Sequence, residues 1–182
     1  RCARLGKPLI DHAQDPSLEA DGVMHRGAHA DRLGLPGIPA EAETRIVERD
    51  VELARETGCV VHIQHVSTAA AVRLIRAARE EGLPVSGEAT PHHLALCDAD
   101  VRADRPEAFK MNPPLRGAAD REALRAAVAD GALSVLATDH APHTAAAKRK
   151  GFARAPFGVI GLETAVGVTY TQLVRRGPMG VA

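Results

Sequence analysis

Short apolar runs and helical stretches alternate along this chain, and four of the apolar runs stop at a residue able to bind a metal or move a proton. "KPLIDH" ends at His12, "CVVHIQH" at His65, "LPVSGE" at Glu88 and "LSVLATD" at Asp139. The segments between them carry the apolar spacing of helices. "PAEAETRIVERDVELARETG" places Pro39 near the first turn and Gly58 at the stop, with Ile46, Val47, Val51 and Leu53–Ala54 recurring at helical spacing. "STAAAVRLIRAAREEG" opens on Ser67 or Thr68 as a cap and closes at Gly82. "ADREALRAAVADG" runs from Asp120 as its cap to Gly131, and a last helix, "GLETAVGVTYTQLVRR", is weakened by Gly167.

Strand, helix, strand, helix in this rhythm predicts an α/β chain with parallel strands and crossover helices. A doubly wound sheet and a (β/α)8 barrel both satisfy it. Neither G-x-G-x-x-G nor G-x-x-x-x-G-K-[ST] follows any apolar run, which argues against a nucleotide-binding doubly wound sheet. A full barrel needs about 250 residues. The 182 residues here supply four strand–helix units, so the expectation is a partial TIM-type barrel. In a parallel barrel the C-terminal ends of the strands share one face, and that face holds the active site. His12, His65, Glu88 and Asp139 would converge there. Neutral imidazoles and carboxylates are the ligand set of zinc and similar divalent metals.

Composition narrows the function classes. Basic and acidic residues balance at 23 each, and no basic block interleaved with aromatics points to nucleic acid. No apolar run approaches the roughly 18 residues of a membrane span. Aromatics are only 2% of the chain, so the core is built from aliphatic side chains. Cys2, Cys59 and Cys97 form no C-x-x-C pair, which disfavours a disulfide framework or a zinc ribbon and leaves a reducing cytoplasm as the default; Cys59 and Cys97 read as structural. The chain opens on Arg1 and closes on "GPMGVA", which reads as part of a longer protein.

Other polar clusters divide between site and scaffold. "TPHHL" carries His92 and His93, which cannot point the same way in an extended chain, so one at most faces the site. "MNPPLR" is a stiff turn presenting Asn112 and Arg116. His25 and His29 fall in a polar loop and read as solvated, while His62, three residues before His65, alternates away from the site face.

"DHAQD", "LGLPGIPAEAE", "HVSTAAAVRLIRAAREEGLPVSGEATPHHL", "MNPPLR" and "ATDHAPH…PFGVIGLETA" together resemble the bacterial class I dihydroorotases of the amidohydrolase superfamily. The resemblance covers nearly the whole chain. It implies that residues 1–182 are part of a single barrel domain, about its last four βα units, truncated at the N-terminus and at the C-terminus. It implies a two-zinc site, with His12, His65 and Asp139 as ligands, Asp139 also moving the catalytic proton, and Glu88 as a further neighbour of the metals. Asn112, His143, Phe157 and Gly158 fall where the family binds its substrate. The family's HxH pair and bridging carboxylate or lysine do not occur here. The implied activity is the reversible, zinc-dependent hydrolysis of dihydroorotate to N-carbamoyl-L-aspartate in cytoplasmic pyrimidine synthesis, with the isolated stretch inactive. The implied partners are that small-molecule substrate and either further copies of the chain or an aspartate transcarbamoylase, with no nucleic acid and no membrane. Two other readings are a hydantoinase- or allantoinase-type cyclic amidase and a non-catalytic dihydroorotase-like subunit. "HAQD" stands where "HAED" is commoner, and Gln64 stands where some relatives have Cys; both read as neighbours of ligands.

Overall fold

Each apolar run forms a strand, but a shorter one than its sequence predicts. In the computed structural model, which describes residues 1–102 and 104–180, β1 spans Leu9–Asp11, and the last two residues of "GPMGVA" lie outside the described residues. A small excursion follows: α1 (Pro16–Glu19), β2 (Met24–His25), α2 (Ala28–Leu33) and β3 (Gly37–Ile38), with β2 and β3 paired in parallel. Then come α3 (Glu41–Thr57), β4 (Val61–Ile63), α4 (Ala69–Glu80), β5 (Val85–Ala89) and α5 (Pro91–Ala95). The chain finishes with α6 (Ala118–Ala129), β6 (Val135–Leu136), α7 (Ala145–Lys148), α8 (Ala165–Tyr170) and a π-helical turn over Thr171–Arg175.

The strands β1, β4, β5 and β6 form one parallel sheet in chain order. A doubly wound sheet reverses its order at a switch point. This one advances strand by strand, as a stretch of barrel wall does.

Alternation along the strands separates two faces. Leu9, Val61, Ile63 and Val85 pack into one cluster with Val47 and Val51 of α3, Val72 and Ile75 of α4, and Leu124 of α6. A side chain at Gly87 would meet Ile75 and Leu133 at 3.0 Å, so glycine there lets α4 lie close on the sheet. The opposite face carries Ile10, His62, Ser86 and Glu88; Ile10 is 58% exposed.

Helix ends follow local chemistry, with two corrections. Gly58 takes φ +66 and closes α3, and the Thr68 hydroxyl caps α4 by accepting from the Ala71 N–H at 3.1 Å. Asp120 is not the cap of its own helix, because Gly117 holds that place. Its carboxylate accepts instead from the Ala69 N–H at 2.8 Å, at the head of α4. "TPHHL" is not extended: Thr90 caps α5 through the His93 N–H at 3.2 Å.

Candidate functional site

The parallel pairing of β1 with β4 sets Asp11 opposite Ile63 and so delivers His12 and His65 to one end of the sheet. His12 Nδ1 and His65 Nε2 lie 2.8 Å apart, with the rings edge-on at 77°. The other nitrogen of His12, Nε2, donates to Gln14 Oε1 at 2.8 Å. A neutral His12 therefore keeps its lone pair on Nδ1, facing His65. Burial, and then the charge of His12, hold the His65 pKa below its ordinary value against the opposing charges of Asp139, Glu43 and Glu88. Its ring is neutral at pH 7, the form that ligates. The backbone of His65 bends into the left-handed region, φ +33.

Glu88 is at the same strand ends but is already engaged. One carboxylate oxygen accepts from the His65 backbone N–H at 3.2 Å and the other from His62 Nε2 at 2.9 Å. His62 Nδ1 in turn lies 2.8 Å from the Ser86 hydroxyl. This corrects the expectation that His62 points away from the site. Simple alternation fails because β4 ends at Ile63, and the chain has left strand geometry before His65.

Beneath His65 lies a buried polar network. Glu43, on α3, accepts from the backbone N–H groups of Ser67 and Thr68 at 3.1 and 3.0 Å and from both their hydroxyls. Arg116, from "MNPPLR", donates to Ser67 Oγ and to the Ile38 carbonyl, both at 3.0 Å, and sits 3.8 Å from Glu43. Arg116 also reaches His25 Nδ1 at 3.4 Å, while His29 Nε2 meets the Val101 carbonyl at 3.2 Å. His25 and His29 are thus tied into the scaffold, and the expectation of solvated histidines is corrected. Burial first, then Arg116, lowers the His25 pKa.

Asp139 follows β6 by three residues, also in the left-handed region at φ +46. Left-handed backbone at a non-glycine residue costs about 1 kcal/mol or more and persists where surrounding structure enforces it. Among the described residues His65, Asp139 and Ala20 are the ones that adopt it. Asn112 Nδ2 approaches His12 Nε2 at 3.5 Å, and its buried Oδ1 has no partner. His143 Nε2 donates to the Phe157 carbonyl at 2.8 Å. The Gly158 N–H donates to the Lys110 carbonyl at 3.0 Å, and the Gly158 carbonyl accepts from Lys148 Nζ at 2.9 Å. His140 Nδ1 accepts from the N–H groups of Gly161 and Leu162, so it serves the loop.

Do these residues fit a divalent metal? Two nitrogens sharing one tetrahedral zinc at about 2.0–2.1 Å stand about 3.3 Å apart. His12 Nδ1 and His65 Nε2, at 2.8 Å, need part by only about half an ångström to accept one between them. The other ring nitrogen of His65, Nδ1, is buried without a partner. The pair fits as two ligands. Among the described residues no group of three candidate ligands is gathered, so Asp139 does not complete a site with them.

Residues 1–71 match the family model described as dihydro-orotase-like. The chain is 48% identical over its whole length to a dihydroorotase of Latilactobacillus sakei, and 55% identical over 96% of its length to one of Anaeromyxobacter dehalogenans. It covers 42% and 40% of those two proteins, so it spans about two fifths of the relatives it matches. Its fold superposes on the crystal structure of a dihydropyrimidinase from Brevibacillus agri with a TM-score of 0.83 at 27% identity, over 98% of this chain and 41% of that one. The chain is similar to dihydroorotases along nearly its whole length. The partial α/β barrel read from the strand–helix rhythm is the fold that its relatives share.

Sequence reasoning about this dihydro-orotase-like chain placed Gln14 beside the ligands without a contact; its carboxamide orients His12. It missed Glu43, whose carboxylate holds the turn after His65. A charged residue in the first turn of an amphipathic helix reads as solvated, and only the distant partners Ser67 and Arg116 account for its burial.

Proposed function

We propose that this chain carries the strand-end half of a metal-dependent cyclic-amide hydrolase site whose substrate is dihydroorotate. The observation that carries the reading is the facing pair, His12 Nδ1 and His65 Nε2 at 2.8 Å, in a chain about half identical to dihydroorotases. Zinc is the metal we assign, two per site in the complete barrel. His12 and His65 would hold it from this chain as a facing pair braced by Glu88, and Asp139, which is not gathered with them here, would join as a ligand with the remaining length of the barrel in place. Zinc held by these residues would supply hydroxide near neutral pH. Asp139 takes the proton from the attacking oxygen and returns it to the departing ring nitrogen. The carbonyl carbon gains a C–O bond, the ring C–N bond breaks, and N-carbamoyl-L-aspartate leaves. Asn112, His143 and the Phe157–Gly158 strap orient the ring. Because the Phe157 carbonyl and both backbone polar groups of Gly158 are engaged within the chain, the strap acts chiefly through its shape.

The reading places the protein in the cytoplasm, with a small molecule as its first partner; among the described residues no helix is long and apolar enough to cross a membrane. Further copies or an aspartate transcarbamoylase are the macromolecular partners it allows.

The dihydropyrimidinase likeness favours a second reading, a hydantoinase-type amidase. The test joins this chain to the remaining length of its relatives and assays dihydroorotate, hydantoin and allantoin side by side. Turnover of dihydroorotate in preference to the other two is expected. Preference for hydantoin or allantoin selects the second reading, and a folded, inert protein would overturn both in favour of a non-catalytic subunit.

A further inference from the structure

Residues 149–164 form no helix and only an isolated bridge at Val159, yet the strap within them, at 152–158, is closely held. Two lysines gather four of its carbonyls. Lys110 Nζ donates to Phe152 at 2.8 Å and Ala153 at 3.1 Å. Lys148 Nζ donates to Pro156 at 3.1 Å and Gly158 at 2.9 Å. The Phe157 carbonyl between them goes to His143 Nε2. Side-chain cations here take the place of the ladder that a strand or helix would supply to its backbone.

Neither lysine is an ordinary surface cation. Lys110 is 3% exposed, and burial lowers the pKa of both. The charge of Lys148 lowers Lys110 further, while Glu107 acts on Lys148 in the opposite direction. Among the described residues no carboxylate bonds to either ammonium. An ammonium taken out of water needs its donors satisfied, and the strap carbonyls satisfy them, with the Phe157 ring centred 4.4 Å from Lys110 Nζ. The two lysines also stand on the segments that flank the strap. Lys110 lies two residues before Asn112, and its own carbonyl accepts from the Gly158 N–H at 3.0 Å. Lys148 ends α7, five residues after His143. A side chain at Gly158 would meet Ala141 Cβ at 2.7 Å and His143 Nε2 at 3.1 Å, so the strap lies directly on the His143 loop. One lysine thus ties the strap to the turn that presents Asn112, and the other ties it to the loop that presents His143.

We propose that Lys110 and Lys148 are positioning residues: their ammonium groups lock the Asn112 turn, the His143 loop and the strap into one preformed wall, without touching the ring that the wall orients. The clamp itself rests on this geometry alone. Its bearing on substrate rests on the reading above, in which those three segments orient the ring. A wall fixed before binding removes the entropy cost of ordering a loose loop around the substrate. Losing the clamp weakens substrate and transition state alike, which raises KM more than it lowers kcat.

Lys148→Met keeps the aliphatic stem and removes the donors, and Lys148→Arg returns them. The test uses the chain joined to its relatives' remaining length. Hydrogen–deuterium exchange is read by mass spectrometry on peptides from the strap and from β4 and β5, beside steady-state kinetics on dihydroorotate. In Lys148→Met the strap is expected to exchange faster by about tenfold or more, with β4 and β5 unmoved. KM is expected to rise about 5–20-fold, ahead of any change in kcat. Lys148→Arg should recover most of both effects, and Lys110→Met should loosen the same strap peptides. Unchanged strap exchange in Lys148→Met overturns the clamp. Faster exchange with an unmoved KM, or loosening that spreads to β4 and β5, overturns the positioning role. If the joined protein prefers hydantoin or allantoin, the same kinetics are run on that ring. If it turns over none of them, the dihydroorotase reading falls, and strap exchange alone decides the clamp.

Discussion

The middle of the sheet, here called its first end, and its β6 edge, the second, carry similar motifs and are built in opposite ways. Around β4 and β5 the candidate residues sit inside a network that the fold itself needs. His65 and Glu88 are buried, and under them Glu43, Ser67, Thr68 and Arg116 are buried and mutually bonded. Around β6 the strand is two residues long, and Val135 and Leu136 are 42% and 45% exposed. His140 and His143 are exposed, and Val166 of α8 is 83% exposed. A histidine at the first end serves fold and site together. Among the described residues the carboxylate of Asp139 at the second end has no bond that holds the scaffold. The lesson is that a strand end positions a side chain either by burying it in a network or by bending the backbone beneath it. His65 has both devices and Asp139 only the second.

That contrast can be broken at either end, and the largest effect belongs to the exposed one. With the chain joined to its relatives' remaining length, Asp139→Asn is expected to lower dihydroorotate turnover by about 10²–10⁴-fold. The melting temperature should hold, because the carboxylate supports no scaffold bond. A matching fall in melting temperature would show that Asp139 belongs to the fold after all. Arg116→Met at the buried end is the converse. Removing one partner of a buried ion pair typically costs about 3–5 kcal/mol, and urea unfolding should show a loss of that order. A loss under about 1 kcal/mol, the range of an exposed pair, would mean the network is not the anchor described here.

Acid provides a subtler cut. Burial holds His25, His65, His92 and His93 below the ordinary histidine value, His92 at about 4. The unfolded chain, with its histidines near 6.5, therefore binds protons that the folded chain refuses. The stability these rings contribute is full above 6.5 and is lost as pH falls toward their folded values. We expect His92 alone to account for a loss of about 2 kcal/mol between pH 7 and pH 5, with the other three rings adding to it, read as a falling urea midpoint. A flat midpoint across that range would contradict the burial assigned to these rings.

Asp50 works in the opposite direction and by less. Burial, and then the hydrogen bond and charge of Asp11, push its carboxyl up to about 6 against the pull of Arg49. The folded state here binds the proton more tightly than the unfolded state. The penalty is therefore absent below 3.8, grows as pH rises and is complete above about 6. Asp50→Asn should raise stability at pH 7 by about 1 kcal/mol after allowing for the lost Arg49 contact. The gain should vanish below pH 4. An equal gain at both pH values would point to a cause other than this carboxyl.

How much of this was legible in the sequence differs between the same two regions. Local signals carried the helices: Gly58 and Thr68 stop and start them as the cap rules require. The strand order also followed from the strand–helix rhythm. Long-range partners were not legible. Asp120 reads as the cap of its own helix because nothing local reveals Ala69 of α4 waiting for a carboxylate. His62 reads as turned away because alternation assumes an extended chain, and the positive φ of His65 breaks it. His25 and His29 read as solvated, and Glu43 draws no reading at all, because their partners Arg116 and Val101 arrive from far along the chain. Near β6 the motif "TDHAPH" marks its residues plainly, whereas the brevity of the strand and the engagement of the strap by Lys110 and Lys148 emerge only in three dimensions.

The most direct test of the central claim is to soak crystals of the chain with zinc and record anomalous scattering at the zinc edge. The account predicts a peak between His12 Nδ1 and His65 Nε2, with both bonds near 2.0–2.1 Å and the hydrogen bond between the two rings replaced. A peak elsewhere, or crystals in which the two imidazoles keep their direct 2.8 Å contact at saturating zinc, would contradict it.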